Sequence, residues 1–363
     1  MKFIISGGGT GGHIYPAIAI AEAIKKQMPE AEFLFIGAEG RMEMEKVPQA
    51  GYKIEGLWIS GFQRKQLWKN LSLPFKILFS MFKVWGIISK FKPDTVIGVG
   101  GYASGVALKV AGWRKIPILI HEQNSFAGKT NQMLAKSAKK ICVAYDNMER
   151  FFPKDKMILT GNPVRQDILD ISTKKAEGLA HYGLSPDKKV LLITGGSLGA
   201  KILNESIAAG LQSLKDANIQ VLWQVGKVYY ETYAPKASGF DNVKVMSFID
   251  RMDLAYAAAD AVIARAGALT ISELCVTGKA TILVPSPNVA EDHQTANAMS
   301  LVNKEAAILV KDVEAKEKLV NTALNLLYDE VLRVKLEQQI KKLALPDAAE
   351  RIAKECIKIG TGE

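Results

Sequence analysis

Seven residues near the amino end, Gly7-Gly8-Gly9-Thr10-Gly11-Gly12-His13, satisfy the spacing G-x-G-x-x-G through Gly7, Gly9 and Gly12. Glycines let a backbone approach a phosphate closely, and a helix that follows them offers N–H groups and positive potential to an anion. A tight strand-to-helix turn that binds nothing meets the same spacing, so the pattern alone leaves both readings open. A dinucleotide site also wants an acidic residue about 20 positions on, and Glu39 comes somewhat late for it. His13 adds an imidazole directly after the loop, and the ordinary pKa of that group, near 6.5, suits a general base. Its competing role is a hydrogen bond at a helix start. A second phosphate-type loop, Gly195-Gly196-Ser197-Leu198-Gly199-Ala200, appears far downstream. Two such loops suit two separate phosphorylated ligands. A Walker A loop is excluded at Gly128-Lys129-Thr130, because Gln123 stands where its earlier glycine is required.

Other polar clusters follow apolar runs. Gly100-Gly101-Tyr102-Ala103-Ser104-Gly105 comes after one, and His121-Glu122-Gln123-Asn124 after the next. Arg265-Ala266-Gly267-Ala268-Leu269-Thr270-Ile271-Ser272-Glu273 comes after a third. If a helix starts near Leu269, Glu273 lies on its first turns, where a carboxylate accepts two hydrogen bonds from a ribose diol. The alternative is a solvated charge that the helix start favours by about 0.3–1 kcal/mol. Arg265 reads equally as a surface charge. A last loop runs from Pro285-Ser286-Pro287 to Glu291-Asp292-His293-Gln294, with Asn297 one helical turn beyond. No group of Asp, His or Cys has metal-ligand spacing and no Asp-x-Asp occurs. Neither a metal nor a cofactor is therefore expected, and a diphosphate would be held by loop N–H groups and helix dipoles.

Positioning these residues requires strands that end at the loops. Short β-branched runs at 2–6, 33–36, 95–99, 118–120 and 140–144 alternate with helical stretches at 17–27, 104–111 and 130–138. The scheme restarts with strands at 190–194, 220–224, 243–246, 261–264 and 280–284. Alternating β and α argues for parallel sheets covered by helices. Both halves open with an apolar strand, glycines and a helix. The expected fold is α/β, with two Rossmann-like, doubly wound domains facing a cleft. In such sheets ligands lie beyond the carboxyl ends of the strands, where the polar clusters fall. The expected divisions are 1–162, 163–345 and a helix within 346–363 of unknown docking site, with a linker near Gly161-Asn162-Pro163. Charged helices are expected at 313–328 and 330–343.

A chain of 363 residues with 48% apolar character is too long for one ordinary core, which agrees with two domains. A mean hydropathy of +0.06 with 23% charged residues excludes a disordered chain. Cys142, Cys275 and Cys356 are too scattered for a disulfide framework and suit a reducing compartment. The opening Met1-Lys2-Phe3-Ile4-Ile5-Ser6 lacks a signal-peptide pattern. No apolar stretch of about 18 residues is free of charge, so no transmembrane span is expected. Forty-seven basic against 37 acidic residues leave +10, which favours anionic partners. Residues 62–92 carry Arg64, Lys65, Lys69, Lys76, Lys83, Lys90 and Lys92 and no acid. Among them lie Trp68, Phe75, Phe79, Phe82 and Trp85, with Ser72 and Pro74 as a helix start. An ordinary core helix also carries lysines. So much aromatic surface without an acid instead suggests an interfacial segment at an anionic membrane, extended by Trp113, where each lysine–headgroup contact is worth about 1 kcal/mol.

Several segments resemble one family in order over nearly the whole chain. They are Gly8-Gly9-Thr10-Gly11-Gly12-His13, Gly100-Gly101-Tyr102, His121-Glu122-Gln123-Asn124, Gly161-Asn162-Pro163-Val164-Arg165, Gly195-Gly196-Ser197 and Gly267-Ala268-Leu269-Thr270. The family is MurG, the UDP-N-acetylglucosamine:undecaprenyl-diphospho-muramoylpentapeptide N-acetylglucosaminyltransferases of peptidoglycan synthesis. The resemblance implies a GT-B architecture with UDP-GlcNAc held mainly by the second domain. It places uracil on the backbone of Phe248-Ile249, the ribose on Glu273, and the diphosphate near Ser197 and the helix start at Ala268, Leu269 and Thr270. Arg165, Asn124 and Gln294 would contact nucleotide or sugar, and Thr10, Gly11 and Gly12 would close from the first domain. Leu198 departs from the polar residue that many relatives carry, which leaves backbone N–H groups to meet phosphate there.

The reaction implied inverts the anomeric carbon: the muramyl 4-hydroxyl of lipid I attacks UDP-GlcNAc and UDP leaves, forming lipid II. It needs a base, with His13 the candidate and His121 its rival, and positive potential for the leaving diphosphate. The partners implied are UDP-GlcNAc, lipid I and an anionic membrane surface, with no nucleic acid. The implied location is the cytoplasmic face of the cell membrane. A UDP-GlcNAc epimerase on the same architecture is the nearest alternative, but it has no use for a membrane segment. An NAD oxidoreductase would leave the second loop idle, and a nonenzymatic binder would not explain the polar residues at strand ends.

Overall fold

The computed structural model describes residues 1–61 and 67–362, apart from the side chains of 67–69 and 290. The chain forms two compact units, Met1–Val164 with Pro346–Glu363, and Arg165–Leu345. Arg64, Lys65 and the side chains of Trp68 and Lys69 lie outside the described residues.

In the first unit seven strands are β1 (Lys2–Ser6), β2 (Glu32–Ala38), β3 (Ile54–Leu57), β4 (Thr95–Gly98), β5 (Ile118–Glu122), β6 (Lys140–Val143) and β7 (Met157–Leu159). They form one parallel sheet in the order β3-β2-β1-β4-β5-β6-β7. Phe3 pairs with Phe33 on one side and Thr95 on the other. Phe3, Ile4 and Ile5 are fully buried, as expected for a strand covered on both faces. The strand order reverses between β1 and β4, which is where a doubly wound sheet opens a crevice at its carboxyl edge. The first glycine loop leaves β1 there, and Gly100-Gly101 leaves β4 beside it.

The second unit contains β8 (Val190–Thr194), β9 (Gln220–Gln224), β10 (Val243–Met246), β11 (Ala261–Ala264), β12 (Thr281–Leu283) and β13 (Ile308–Leu309). The order β10-β9-β8-β11-β12-β13 is again parallel, with its switch point between β8 and β11. The second glycine loop leaves β8, and the segment from Arg265 leaves β11. Each unit thus repeats one logic: the central strand ends in glycines beside the strand that begins the other half of the sheet.

Three strands escape the sequence pattern. β3 holds a glutamate and a glycine in four residues, β7 has three residues and β13 only two, too few to display a period. The first helix, Gly11–Gln27, begins six residues earlier than its apolar run suggests, so His13 lies inside its first turn rather than before it. Pro16 is accommodated within that helix, where it withholds one N–H from the ladder. The last helix, Ala348–Thr361, docks on the first unit. Ile352, Ala353 and Cys356 join Phe3, Ile20, Ile24 and Cys142 in one buried cluster, and Thr95 donates to the Cys356 carbonyl at 3.3 Å.

The stretch Asn70–Phe91 is the one helix among the described residues with the length and apolarity of a membrane span, at a mean hydropathy of 1.5. It qualifies by length and composition only: lysines interrupt it, and one of its faces is buried in the first unit. Its α-helical part, Leu73–Phe91, follows Ser72 at the N-cap and Pro74 in the first turn, and buries Ser80, Val84 and Ile88. The opposite face is exposed: Phe75 and Phe82 at 71%, Phe79 at 59% and Trp85 at 47%.

Candidate active site

In the second unit the helix Ala268–Thr277 starts at Gly267, which has no side chain to close its amino end. No acidic residue occupies its first turn, and the positive end of a helix favours an anion. Glu273 lies a turn further on, with 16% of its side chain exposed. Tyr256 donates its hydroxyl to Glu273 Oε2 at 3.0 Å, and Arg165 Nε lies 3.8 Å from Oε1. Burial raises the Glu273 pKa, while Arg165 and the Tyr256 hydrogen bond oppose that rise. Burial and the neighbouring carboxylate push Tyr256 well above an ordinary phenol, which keeps it a donor. One carboxylate, an arginine and a helix start therefore share the carboxyl edge of this sheet. That set can hold a diol, through the carboxylate, next to an anion.

The second glycine loop is built from beneath. Thr194 donates to Gln224 Oε1 at 2.5 Å, and Gln224 Nε2 donates to the Gly196 carbonyl at 3.0 Å. Gly199 has φ +78°, and a Cβ there would lie 2.0 Å from the Val225 carbonyl oxygen, so no other residue fits. These contacts present Ser197 and Leu198 to solvent, the latter 70% exposed. Ile249 is buried in the segment after β10. Gln294 is the second residue of the helix His293–Val302, and its Oε1 accepts from the Ser286 N–H at 2.8 Å. The preceding Glu291 and Asp292 are both left-handed, a conformation costly for residues with a Cβ. Arg265 is not a plain surface charge: it donates to the carbonyls of Val284 and Pro285 at 3.0 Å and pairs with Asp312 at 2.5 Å.

In the first unit Thr10 and Gly12 are exposed and Gly11 is half-buried at the amino end of the first helix. His13 Nδ1 lies 3.0 Å from the Gly8 carbonyl oxygen and 3.4 Å from Thr10 Oγ1. A carbonyl only accepts, so the proton belongs on Nδ1, and Nε2 carries the lone pair. Gly100 leaves room for the ring, since a Cβ there would meet Nε2 at 2.8 Å. Glu43, to which the sequence draws no attention, is 1% exposed and accepts from the N–H groups of Gly9 and Ala38 at 2.9 and 3.0 Å. The rival His121 is fully buried, bonded to the Gly161 carbonyl at 3.2 Å and to the Gln123 amide at 3.0 Å. Burial depresses its pKa to about 4, and the enclosure keeps it from an acceptor hydroxyl. Asn124 is oriented by buried Glu122, which also receives the Gly128 N–H and Asn131 amide.

The expected membrane residues are placed differently from one another. Phe75, Phe79, Phe82, Trp85 and Trp113 are exposed. Lys83 instead turns inward, donating to the Gly56 carbonyl at 2.6 Å and lying 3.6 Å from Glu39. Lys76 reaches Ser60 and the ring of Trp58. Among the described residues no group of three or more His, Cys, Asp or Glu is placed to hold a metal ion.

Comparison with known proteins finds two family models along the chain. Residues 3–143 match the glycosyltransferase family 28 N-terminal domain, and residues 190–354 match the corresponding C-terminal domain. The chain is 55% identical to a UDP-N-acetylglucosamine--N-acetylmuramyl-(pentapeptide) pyrophosphoryl-undecaprenol N-acetylglucosamine transferase of Bacteroides thetaiotaomicron, covering 100% of this chain and 99% of the relative. Among solved structures it resembles MurG of Acinetobacter baumannii at 30% identity and a TM-score of 0.81, covering 98% and 99% of the two chains. The UDP-GlcNAc 2-epimerase of Neisseria meningitidis, at 15% identity and a TM-score of 0.69 over 99% and 100% of the two chains, shares the fold alone.

Proposed function

This chain belongs to glycosyltransferase family 28 and, within it, to the MurG family, and from that premise we propose how its residues divide the work of sugar transfer. It is a UDP-GlcNAc-dependent N-acetylglucosaminyltransferase of peptidoglycan synthesis. Its acceptor is N-acetylmuramyl-(pentapeptide) pyrophosphoryl-undecaprenol, lipid I, and its product is lipid II.

The second unit binds the donor. Glu273 accepts the ribose hydroxyls, Ile249 meets uracil through its backbone, and Arg165 and Gln294 contact nucleotide or sugar. The diphosphate rests on the loop at Ser197 and on the helix start at Ala268, Leu269 and Thr270. The observation that carries this half is the Tyr256–Glu273 pair, a fixed carboxylate about one turn inside a helix whose amino end bears no acid. The first unit handles the acceptor, with Thr10, Gly11 and Gly12 lining its part, and Asn124, like Arg165 and Gln294, contacts nucleotide or sugar. His13 Nε2 takes the proton of the muramyl 4-hydroxyl as that oxygen bonds to the anomeric carbon. The bond from that carbon to the diphosphate breaks on the opposite side, inverting the centre. Positive potential from the helix start and loop N–H groups stabilises the leaving UDP.

Acceptor access follows from the exposed aromatic face of the helix Leu73–Phe91, with Trp113. That face dips into an anionic leaflet on the cytoplasmic side, and the association is peripheral, because the opposite face is buried in the protein. An epimerase would gain nothing from such a face. The deciding assay is UDP release from UDP-GlcNAc with and without a lipid I analogue. Release that depends on the analogue and yields a disaccharide supports transfer; release of free sugar without acceptor would replace it with the epimerase reading.

A further inference from the structure

The peptide group between Gly8 and Gly9 is gripped at both ends. Its N–H donates to Glu43 Oε2 at 2.9 Å, and its carbonyl oxygen lies 3.0 Å from His13 Nδ1. In a trans peptide the N–H and C=O point in opposite directions, so holding one aims the other. Glu43 is well placed to hold it. The side chain is buried, its second oxygen accepts from the Ala38 N–H at the end of β2, and that bond ties the carboxylate to the sheet. Glycine is required around it: a Cβ on Gly8 would stand 2.1 Å from Glu43 Oε1, and one on Gly37 2.5 Å from Glu43 Cγ. On the other side a Cβ on Gly101 would meet the Gly8 carbonyl oxygen at 2.6 Å. Glycines flank the peptide and Gly9 has φ +87°, so the local chain is free to turn unless something holds it.

We propose that Glu43 is a positioning residue for His13, acting through the Gly8–Gly9 peptide to hold the imidazole in the tautomer that leaves Nε2 ready to take a proton. The carboxylate fixes the N–H, the carbonyl is thereby directed at Nδ1, and a bonded chain of this kind strengthens each of its members. Glu43 touches neither substrate; it does for His13, through one peptide, what a directly bonded carboxylate does in other general-base sites. The proposal rests on His13 being the base.

The test compares Glu43→Met, which keeps side-chain size and removes both acceptor oxygens, with Glu43→Gln and His13→Ala. For Glu43→Met, kcat should fall about ten- to a hundredfold while the KM for UDP-GlcNAc stays within about twofold. Glu43→Gln, which keeps one acceptor, should recover part of kcat. Nitrogen NMR of the histidines should show His13 with its proton on Nδ1 in the unsubstituted protein and a tautomer mixture in Glu43→Met. Unchanged kcat in His13→Ala would remove the base itself. Loss of activity in His13→Ala, with normal kcat and an unaltered tautomer in Glu43→Met, would overturn the proposal alone. Should Glu43→Met fail to fold, the unsubstituted protein still decides: a His13 proton on Nε2 would refute it.

Discussion

At the scale of single residues, the site depends on groups that hold other groups. A carboxylate can hold a ribose diol only if it is itself held, and the Tyr256 hydroxyl holds that of Glu273, the proposed ribose ligand. Tyr256→Phe removes one hydrogen bond worth about 1 kcal/mol. The KM for UDP-GlcNAc should therefore rise about fivefold with little change in kcat, measurable by steady-state kinetics. His13→Ala should do the reverse, lowering kcat by about 10²–10⁴ while UDP-GlcNAc affinity holds. His121 makes a different prediction. Its pKa is about 4 in the folded chain because burial disfavours the charged ring, against about 6.5 when unfolded. A depressed folded pKa means that the unfolded chain takes up the proton first as pH falls. The stability is thus complete above about pH 6.5 and is lost progressively down to about pH 4, by about 3 kcal/mol in all. Denaturant unfolding at several pH values checks this, and His121→Asn should flatten that part of the curve. The glycine loops, His13 and Glu273 could be singled out from type and spacing, with a plain helix-start role left open for both side chains. Glu43 and Tyr256 could not, since a glutamate after Arg41-Met42 and a tyrosine among alanines look like any others until the chain brings them to their partners.

At the scale of elements, the helix Leu73–Phe91 shows how one sequence pattern serves two surroundings. Val84 and Ile88 hold it to the first unit, while Phe75, Phe79, Phe82 and Trp85 face outward. Replacing Phe75 and Phe82 together by glutamate should cut binding to anionic vesicles at least about tenfold, since each buried phenyl ring is worth about 1.5–3 kcal/mol. Binding of the unsubstituted protein should weaken as salt rises. Vesicle cosedimentation reads both, and equal binding by the double variant would end the membrane reading. Lys83 is a poor probe of headgroup contact because its ammonium is already engaged with Gly56 and Glu39. Elements with long apolar runs were legible throughout; β3, β7 and β13 were not, because two to four residues cannot display a period and only their neighbours make them strands.

At the scale of the whole molecule, the chain's last helix returns to the unit in which the chain began. Ala349, Ile352, Ala353 and Cys356 are buried there. Deleting residues 346–363 should cost the first unit on the order of 5 kcal/mol from lost apolar burial. Calorimetry should show its unfolding at lower temperature, while UDP binding by the second unit persists. Sequence alone determined the alternation of strand and helix, the pair of glycine loops and the ends of strands at which polar residues gather. Those follow from local rules: apolar period, glycine conformation and the chemistry of side chains. Only the tertiary structure decided which unit receives the last helix, that His121 is fully buried while His13 is half-buried, and that Glu43 lies behind the first loop. Burial and partnership are made by segments far apart in the chain, and no local pattern encodes which of them will meet.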